Sequence, residues 1–136
     1  MSILNAKTEV GAALPEIAAQ FRLEDFKKGD AKNIHTDMEA AQREGLPAPV
    51  ATGPQVAALL FRQLRMAFGQ GWIEGGKCSL RFLRPVYVNE FCVARGSVTQ
   101  REPAENGVRL HCEIWIENPK GQKVIAGTAS GVVDGR

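Results

Sequence analysis

"TGPQVAALLFRQLRMAFGQG", residues Thr52 to Gly71, is the stretch whose reading decides the fold. Thr52 stands three residues before Gln55, the spacing at which a hydroxyl N-cap and a glutamine in the first turn serve each other's backbone. Pro54 falls in that same turn, where its missing N–H leaves nothing unpaired. Gly69 and Gly71 supply a stop. Between these signals, Val56 to Phe61 is apolar on every side, so the helix is expected to be enclosed rather than laid on a surface.

Toward the C-terminus the period changes. "KCSLRFL", "EFCVARGSVTQ", "GVRLHCEIWIEN" and "QKVIAGTASGVV" alternate apolar and polar residues between turn residues, which predicts strands. Asn106-Gly107 marks a two-residue hairpin, and Asn118 to Gly121 (NPKG) closes the next pair. An antiparallel meander of this size needs an apolar partner across its inner face, and only the helix from Thr52 to Phe68 is long and apolar enough. The expected fold is α+β, a curled antiparallel sheet wrapped around one long central helix.

Before that helix, "TDMEAAQREG" carries a capping pattern in Thr36 and Glu39 and a stop in Gly45, so a short helix is expected there, with His35 just outside its start. The segment "TEVGAALPEIAAQFRLEDF" is interrupted by Gly11 and Pro15, too close together for one long helix, and its elements stay open.

Bulk properties limit the functions available. The 136 residues are 44% apolar and show no linker or repeat, which fits a single domain over residues 1–136. Seventeen basic against fifteen acidic side chains leave a formal charge of +2 with no basic stripe, so no nucleic-acid partner is expected. Cys78, Cys92 and Cys112 are odd in number and sit in apolar strand-like runs; they read as buried, reduced thiols and favour a cytoplasmic protein. Neither a signal peptide nor an apolar run of about 18 residues is read, so no membrane is expected. His111 alternates with Leu110 and Cys112 and should face away from the core, as a structural or interfacial residue. Trp72 and Trp115 are expected to pack rather than bind.

The chemistry turns on three positions. Asp30 and His35 are five residues apart; on a helix they would stand about 140° from each other, so they converge only across a loop. A carboxylate and an imidazole brought to one point can share a water molecule, one taking its proton and the other delivering a proton elsewhere. Gly53, at the start of the central helix, offers a backbone N–H at the positive end of the helix dipole and no Cβ to hold a ligand away. Such a donor can polarise a carbonyl or hold an oxyanion.

The stretch "GDAKNIHTDMEAAQREGLPAPVATG", residues 29–53, resembles the signature of the MaoC-like hotdog-fold hydratases and dehydratases, approximately G-D-x-N-P-[IV]-H-x-D, a short helix, then G-x-P-x-x-[IV]-A-H-G. Gly29, Asp30, Ile34, His35, Asp37, Gly45, Pro47, Val50, Ala51 and Gly53 match in register, and "LRFLRPVYVNEFCVARGSV" is similar to the family's F-x-x-P-V strand and the strand after it. The resemblance implies an (R)-specific enoyl-CoA hydratase or related dehydratase, generally a homodimer whose two sheets join side by side. It implies Asp30 and His35 as the catalytic pair and Gly53 as the amide that holds the thioester carbonyl. The substrate it implies is an acyl thioester, on coenzyme A or on a carrier protein, with no metal and no redox cofactor. Lys32 and Asn33 stand where the family usually has Asn-Pro, and Thr52 where it has histidine; Asn33 and Thr52 are accordingly assigned to substrate contact.

Plainer roles compete with these assignments. Asp30 after Gly29 also fits an ordinary turn, His35 a backbone hydrogen bond near the cap, and Gly53 close helix–sheet packing. Lys27, Lys28, Lys32, Arg81 and Arg84 fit either the phosphates of coenzyme A or a solvated surface. A hotdog acyl-thioester hydrolase using Asp30, Asp37 or Glu44, and a non-catalytic acyl-binding subunit, are the alternative functions.

Overall fold

The computed structural model describes residues 2–22, 34, 35 and 37–135. In chain order the elements are β1 (Ile17–Gln20), α1 (Met38–Arg43), α2 (Gly53–Phe68), α3 (Gln70–Gly75), β2 (Lys77–Phe82), β3 (Phe91–Ala104), β4 (Gly107–Glu117) and β5 (Lys123–Asp134). The strands form one antiparallel sheet in the order β1-β3-β4-β5-β2. The meander β3-β4-β5 is therefore the centre, as its alternation predicts, while β2 pairs with β5 rather than with its sequence neighbour. This is the hotdog fold.

Alternation sets which face is inside. Cys92, Ala94 and Val98 of β3, Leu110, Cys112, Ile114 and Ile116 of β4, and Ile125, Ala129 and Val133 of β5 are buried beneath α2. His111, between Leu110 and Cys112, faces the other side of β4, and its Nε2 lies 2.8 Å from Glu102 Oε1 on β3. A bulge between Val98 and Gln100 breaks the β3–β4 register, the kind of extra residue that bends a strand and lets a sheet curl.

The central helix keeps its sequence signals at one end and departs from them at the other. Thr52 is the N-cap, its hydroxyl accepting the Gln55 N–H, and Pro54 lies in the first turn. Gly69 ends the helix with φ 60°. Gly71 is not a stop: it lies inside α3, where a Cβ would fall 2.0 Å from the Val132 carbonyl oxygen. Its value is close approach of α3 to β5. Nor is α2 enclosed on all sides. Val56, Leu59, Leu60, Leu64 and Phe68 are buried, but Phe61 and Met66 remain 41% and 45% exposed, so only one face of α2 meets the sheet. The apolar run is longer than one concave sheet can cover.

Three local expectations shift. The N-cap of α1 is Asp37, whose carboxylate accepts the Ala40 N–H, one residue later than the Thr36 pattern indicates. An aspartate caps as well as a threonine, and its charge also suits the helix dipole. The β3–β4 turn is Glu105-Asn106 rather than Asn106-Gly107, because Ala104 pairs with Gly107; Asn106 takes the left-handed conformation at φ 62°. Cys92 and Cys112 are buried as expected, whereas Cys78, on the edge strand β2, is exposed. Gly45 does end α1: at φ 80° it donates to Gln42 O while Leu46 donates to Ala41 O, a paired C-terminal cap.

The N-terminal segment left open by its sequence supplies both a strand and a helix cap. Ile3 and Leu4 donate to the carbonyls of Met66 and Ala67, satisfying acceptors that the last turn of α2 leaves over. Leu4, Leu14, Ile17 and Phe21 are buried against the core, and β1 covers one edge of β3.

Candidate active site

The site grows from the lead-in to α2. Residues 49–51 run alongside residues 86–88: Val88 N–H donates to Pro49 O, Ala51 N–H donates to Val86 O, and Val50 bridges Tyr87. This fixes Val50 three residues before Gly53. Val50 in turn holds the histidine: its N–H donates to Ile34 O at 2.9 Å, and its carbonyl accepts from His35 Nδ1 at 2.8 Å. A carbonyl can only accept, so Nδ1 carries the proton and neutral His35 has its lone pair on Nε2. The backbone-hydrogen-bond reading of His35 and the catalytic one are thus compatible, because the first sets the tautomer that the second needs.

At the start of α2, the Val56 N–H donates to Thr52 O and the Gln55 N–H to Thr52 Oγ1, whereas the Gly53 N–H has no hydrogen-bond partner among the described residues. The Thr52 hydroxyl is engaged in the cap, where it also donates to Gln55 Oε1. Asp30 and Asn33 lie outside the described residues, so their relation to His35 and Gly53 is not described.

A cavity of about 350 Å³ opens at this helix start, walled by Val50, Ala51, Gly53, Val56, Phe82 to Val86, and Ile125. That volume lies within the range of roughly 300–1,000 Å³ common for small-molecule sites. Its described wall is apolar apart from Arg84 and backbone groups. A Cβ on Gly53 would come 3.3 Å from the Phe82 ring, so glycine there lets the ring lie close against the helix start. His35 is tied to this wall through Val50. Phe82, Pro85 and Val86 belong to the F-x-x-P-V resemblance, but their meeting with Val56 and Ile125 follows from packing, and no sequence spacing signals it.

The thiols take no part. Burial pushes the Cys92 and Cys112 pKa values up to about 12, with Glu90 adding to the effect at Cys92, so both stay protonated at neutral pH and are poor nucleophiles. Trp72 stacks on Phe68, and the Trp115 ring lies beneath Lys123 Nζ, so the tryptophans pack, as expected. Among the described residues no group of His, Cys, Asp and Glu is placed to hold a metal ion, and no helix is long and apolar enough to cross a membrane.

A curled antiparallel sheet around one helix, with an apolar cavity at that helix's N-terminus, defines a hotdog protein. The family model described as "MaoC like domain" matches residues 7–123, and the chain belongs to that family. Among solved structures, the MaoC-like dehydratase from Rhodospirillum rubrum superposes with a TM-score of 0.79 at 23% identity, covering 95% of this chain and 94% of that one. The R-hydratase PhaJ1 from Pseudomonas aeruginosa, in its unliganded form, gives 0.76 at 22%, covering 96% and 85%. An (R)-hydratase from A. caviae involved in PHA biosynthesis gives 0.71 at 23%, covering 93% and 98%. These likenesses share the fold. No curated protein matches the chain.

Proposed function

We propose that this protein adds water to an enoyl thioester, or in reverse dehydrates a 3-hydroxyacyl thioester. The observation that supports the reading is the Val50 carbonyl's hold on His35 Nδ1, which leaves Nε2 as the basic nitrogen of a histidine tied to Val50, itself a wall of the apolar cavity that Gly53 also lines. In the forward direction the acyl chain lies along Val56, Val86 and Ile125, and the thioester oxygen accepts from Gly53 N–H. Asp30 and His35 then bind water between them. One removes a proton as the water oxygen bonds to the β-carbon; the C=C electrons move toward the thioester oxygen, where the amide and helix dipole stabilise the charge. The other delivers a proton to the α-carbon, and proton exchange with solvent resets the pair. The change is redox-neutral and each proton has a named carrier, so the reading calls for no metal or redox cofactor. Asn33 and Thr52 contribute to substrate contact.

The same reading takes a second copy of the chain as partner. The strand β2 ends the sheet, and beside its outer edge Phe82 and Leu83 are 58% and 51% exposed. Pairing β2 to β2 joins two sheets side by side and covers this apolar strip. Light scattering that finds only monomer at working concentrations refutes it.

Crotonyl-CoA hydration, followed with the wild type, Asp30→Asn and His35→Ala, tests the reaction. Loss of turnover in both variants supports the assignment; hydration that survives both overturns it. Thiol release without hydration identifies a hydrolase instead, and binding without turnover a non-catalytic acyl-binding subunit.

A further inference from the structure

A row of polar side chains crosses the outward face of the sheet. Lys77 on β2 lies opposite Ser130 on β5, Ser130 opposite His111 on β4, and His111 opposite Gln100 on β3, so all four project from the face away from α2. Ser79 and Thr128 stand opposite each other one row further along the same face. These six residues line a cavity of about 450 Å³ that shares no residue with the apolar one. We infer that this outer cavity binds a small phosphomonoester with a hydroxylated body, a sugar or polyol phosphate, its phosphate at Lys77 and its hydroxyls toward His111.

The lining is rich in donors and free of negative charge. No carboxylate lines the cavity among the described residues. Lys77 has no ion-pair partner among them, and neither has Arg109, which stands beside Ser130. Arg109 Nη1 donates to Ser130 Oγ at 3.0 Å and to Gly75 O at 3.4 Å. Ser130 is only 7% exposed, and because its oxygen accepts from Arg109, its own O–H stays free to donate. A phosphate carries more acceptor oxygens than a carboxylate, enough to meet one ammonium and three hydroxyls. The other end of the row can also accept. Glu102 accepts from His111 Nε2 at 2.8 Å, so Nε2 carries the proton and the neutral ring keeps Nδ1 as an acceptor for a ligand hydroxyl. The Gln100 amide offers a donor and an acceptor. From β2 to β4 the row spans about 10 Å, room for a short carbon chain between a phosphate and its hydroxyls. The walls are fixed: each of the six residues stands in a paired strand, and Thr99, which the β3–β4 register skips, donates its hydroxyl to His111 O.

The test titrates ribose 5-phosphate, glycerol 3-phosphate, inorganic phosphate and phosphate-free ribose into the full chain by calorimetry, with amide NMR spectra locating the site. The wild type is expected to bind ribose 5-phosphate about tenfold more tightly than ribose or inorganic phosphate, with shifts at the amides of residues 77–79, 111 and 128–130. Lys77→Ala/Thr128→Val alters two exposed positions, so circular dichroism should stay unchanged while affinity for ribose 5-phosphate falls about tenfold. Lys77→Arg keeps the charge and should hold affinity within about threefold of the wild type. A wild type that binds neither ester overturns the inference, as do ribose bound as tightly as its phosphate, equal binding by the double variant, and shifts confined to residues 50–56. Inorganic phosphate bound more tightly than both esters overturns the hydroxylated body.

Discussion

Replacing His35 in two ways separates its anchoring role from its chemistry. His35→Asn places an amide Nδ2 on the same carbon that carries Nδ1, so a donor to Val50 O remains, while the Nε2 lone pair disappears. His35→Ala removes both. The anchoring bond is 2.8 Å long and joins a half-buried imidazole to the carbonyl of Val50, whose side chain is 7% exposed. A net hydrogen bond of this kind contributes about 1 kcal/mol, and a carbonyl left partly dry raises the cost to about 1.5 kcal/mol. At roughly 2.1 cal/mol/K per residue, the unfolding entropy of the chain is about 0.29 kcal/mol/K, so His35→Ala should lower Tm by about 5 °C. His35→Asn should stay within about 2 °C of the wild type, since its donor is retained. Crotonyl-CoA hydration should fall in both variants by about 100- to 10,000-fold, the usual worth of a general acid–base group. Thermal melts beside initial rates check this. A His35→Asn protein that melts like the wild type and keeps its rate refutes the role of Nε2; one that melts like His35→Ala refutes the account of the Val50 bond.

Gly71→Ala should destabilise by about 2 kcal/mol, because the new Cβ meets the Val132 oxygen and α3 must shift; helix propensity alone predicts stabilisation of about 1 kcal/mol, so the sign of the urea-midpoint change decides between them. Gln63 is fully buried, its Nε2 donates to Pro15 O, and its Oε1 has no partner among the described residues. Gln63→Glu should therefore cost about 3 kcal/mol at pH 7 and recover as the pH falls and the introduced carboxyl is protonated, which denaturant titrations at several pH values will show. Burial pushes the Cys92 and Cys112 thiols up from an ordinary 9.0 to about 12. The fold therefore holds their protons more tightly than the unfolded chain does; their stabilising contribution is complete below pH 9 and is lost as the pH rises toward 12. In a Cys78→Ser background, native protein at pH 8 should react with a thiol reagent only as fast as it opens, and fast labelling would contradict the burial of both thiols.

Much of this molecule is legible one short window at a time. The Thr52 cap, the Gly45 stop, the alternation of β3, β4 and β5 and the turn at Asn118 depend on neighbours within a few residues, and each stands where its local signal puts it. The signature from Gly29 to Gly53 also carries the family, whose model matches residues 7–123. Departures occur where a local signal had two solutions of similar cost: Asp37 or Thr36 as a cap, or a turn one residue earlier at Asn106.

What periodicity cannot express is which surfaces meet. The run Val56 to Phe61 is apolar all round, yet only packing decides that Phe61 is left out and Leu60 taken in. Gly71 looks like a helix stop in sequence and is a contact with β5 in space. His35 is held at the lead-in to α2 because Val50 bonds residue 34 on one side and His35 on the other while residues 49–51 are themselves held along residues 86–88. Sequence by itself determined α1, α2 with its Thr52 cap and the strands β2 to β5, because those follow from short-range hydrogen bonding and side-chain period, and its signature carried the family. The placement of β2 beside β5, the exposed face of α2 and the walls of the cavity were decided by tertiary structure alone, because burying apolar area and pairing distant backbone groups are properties of the whole packed chain.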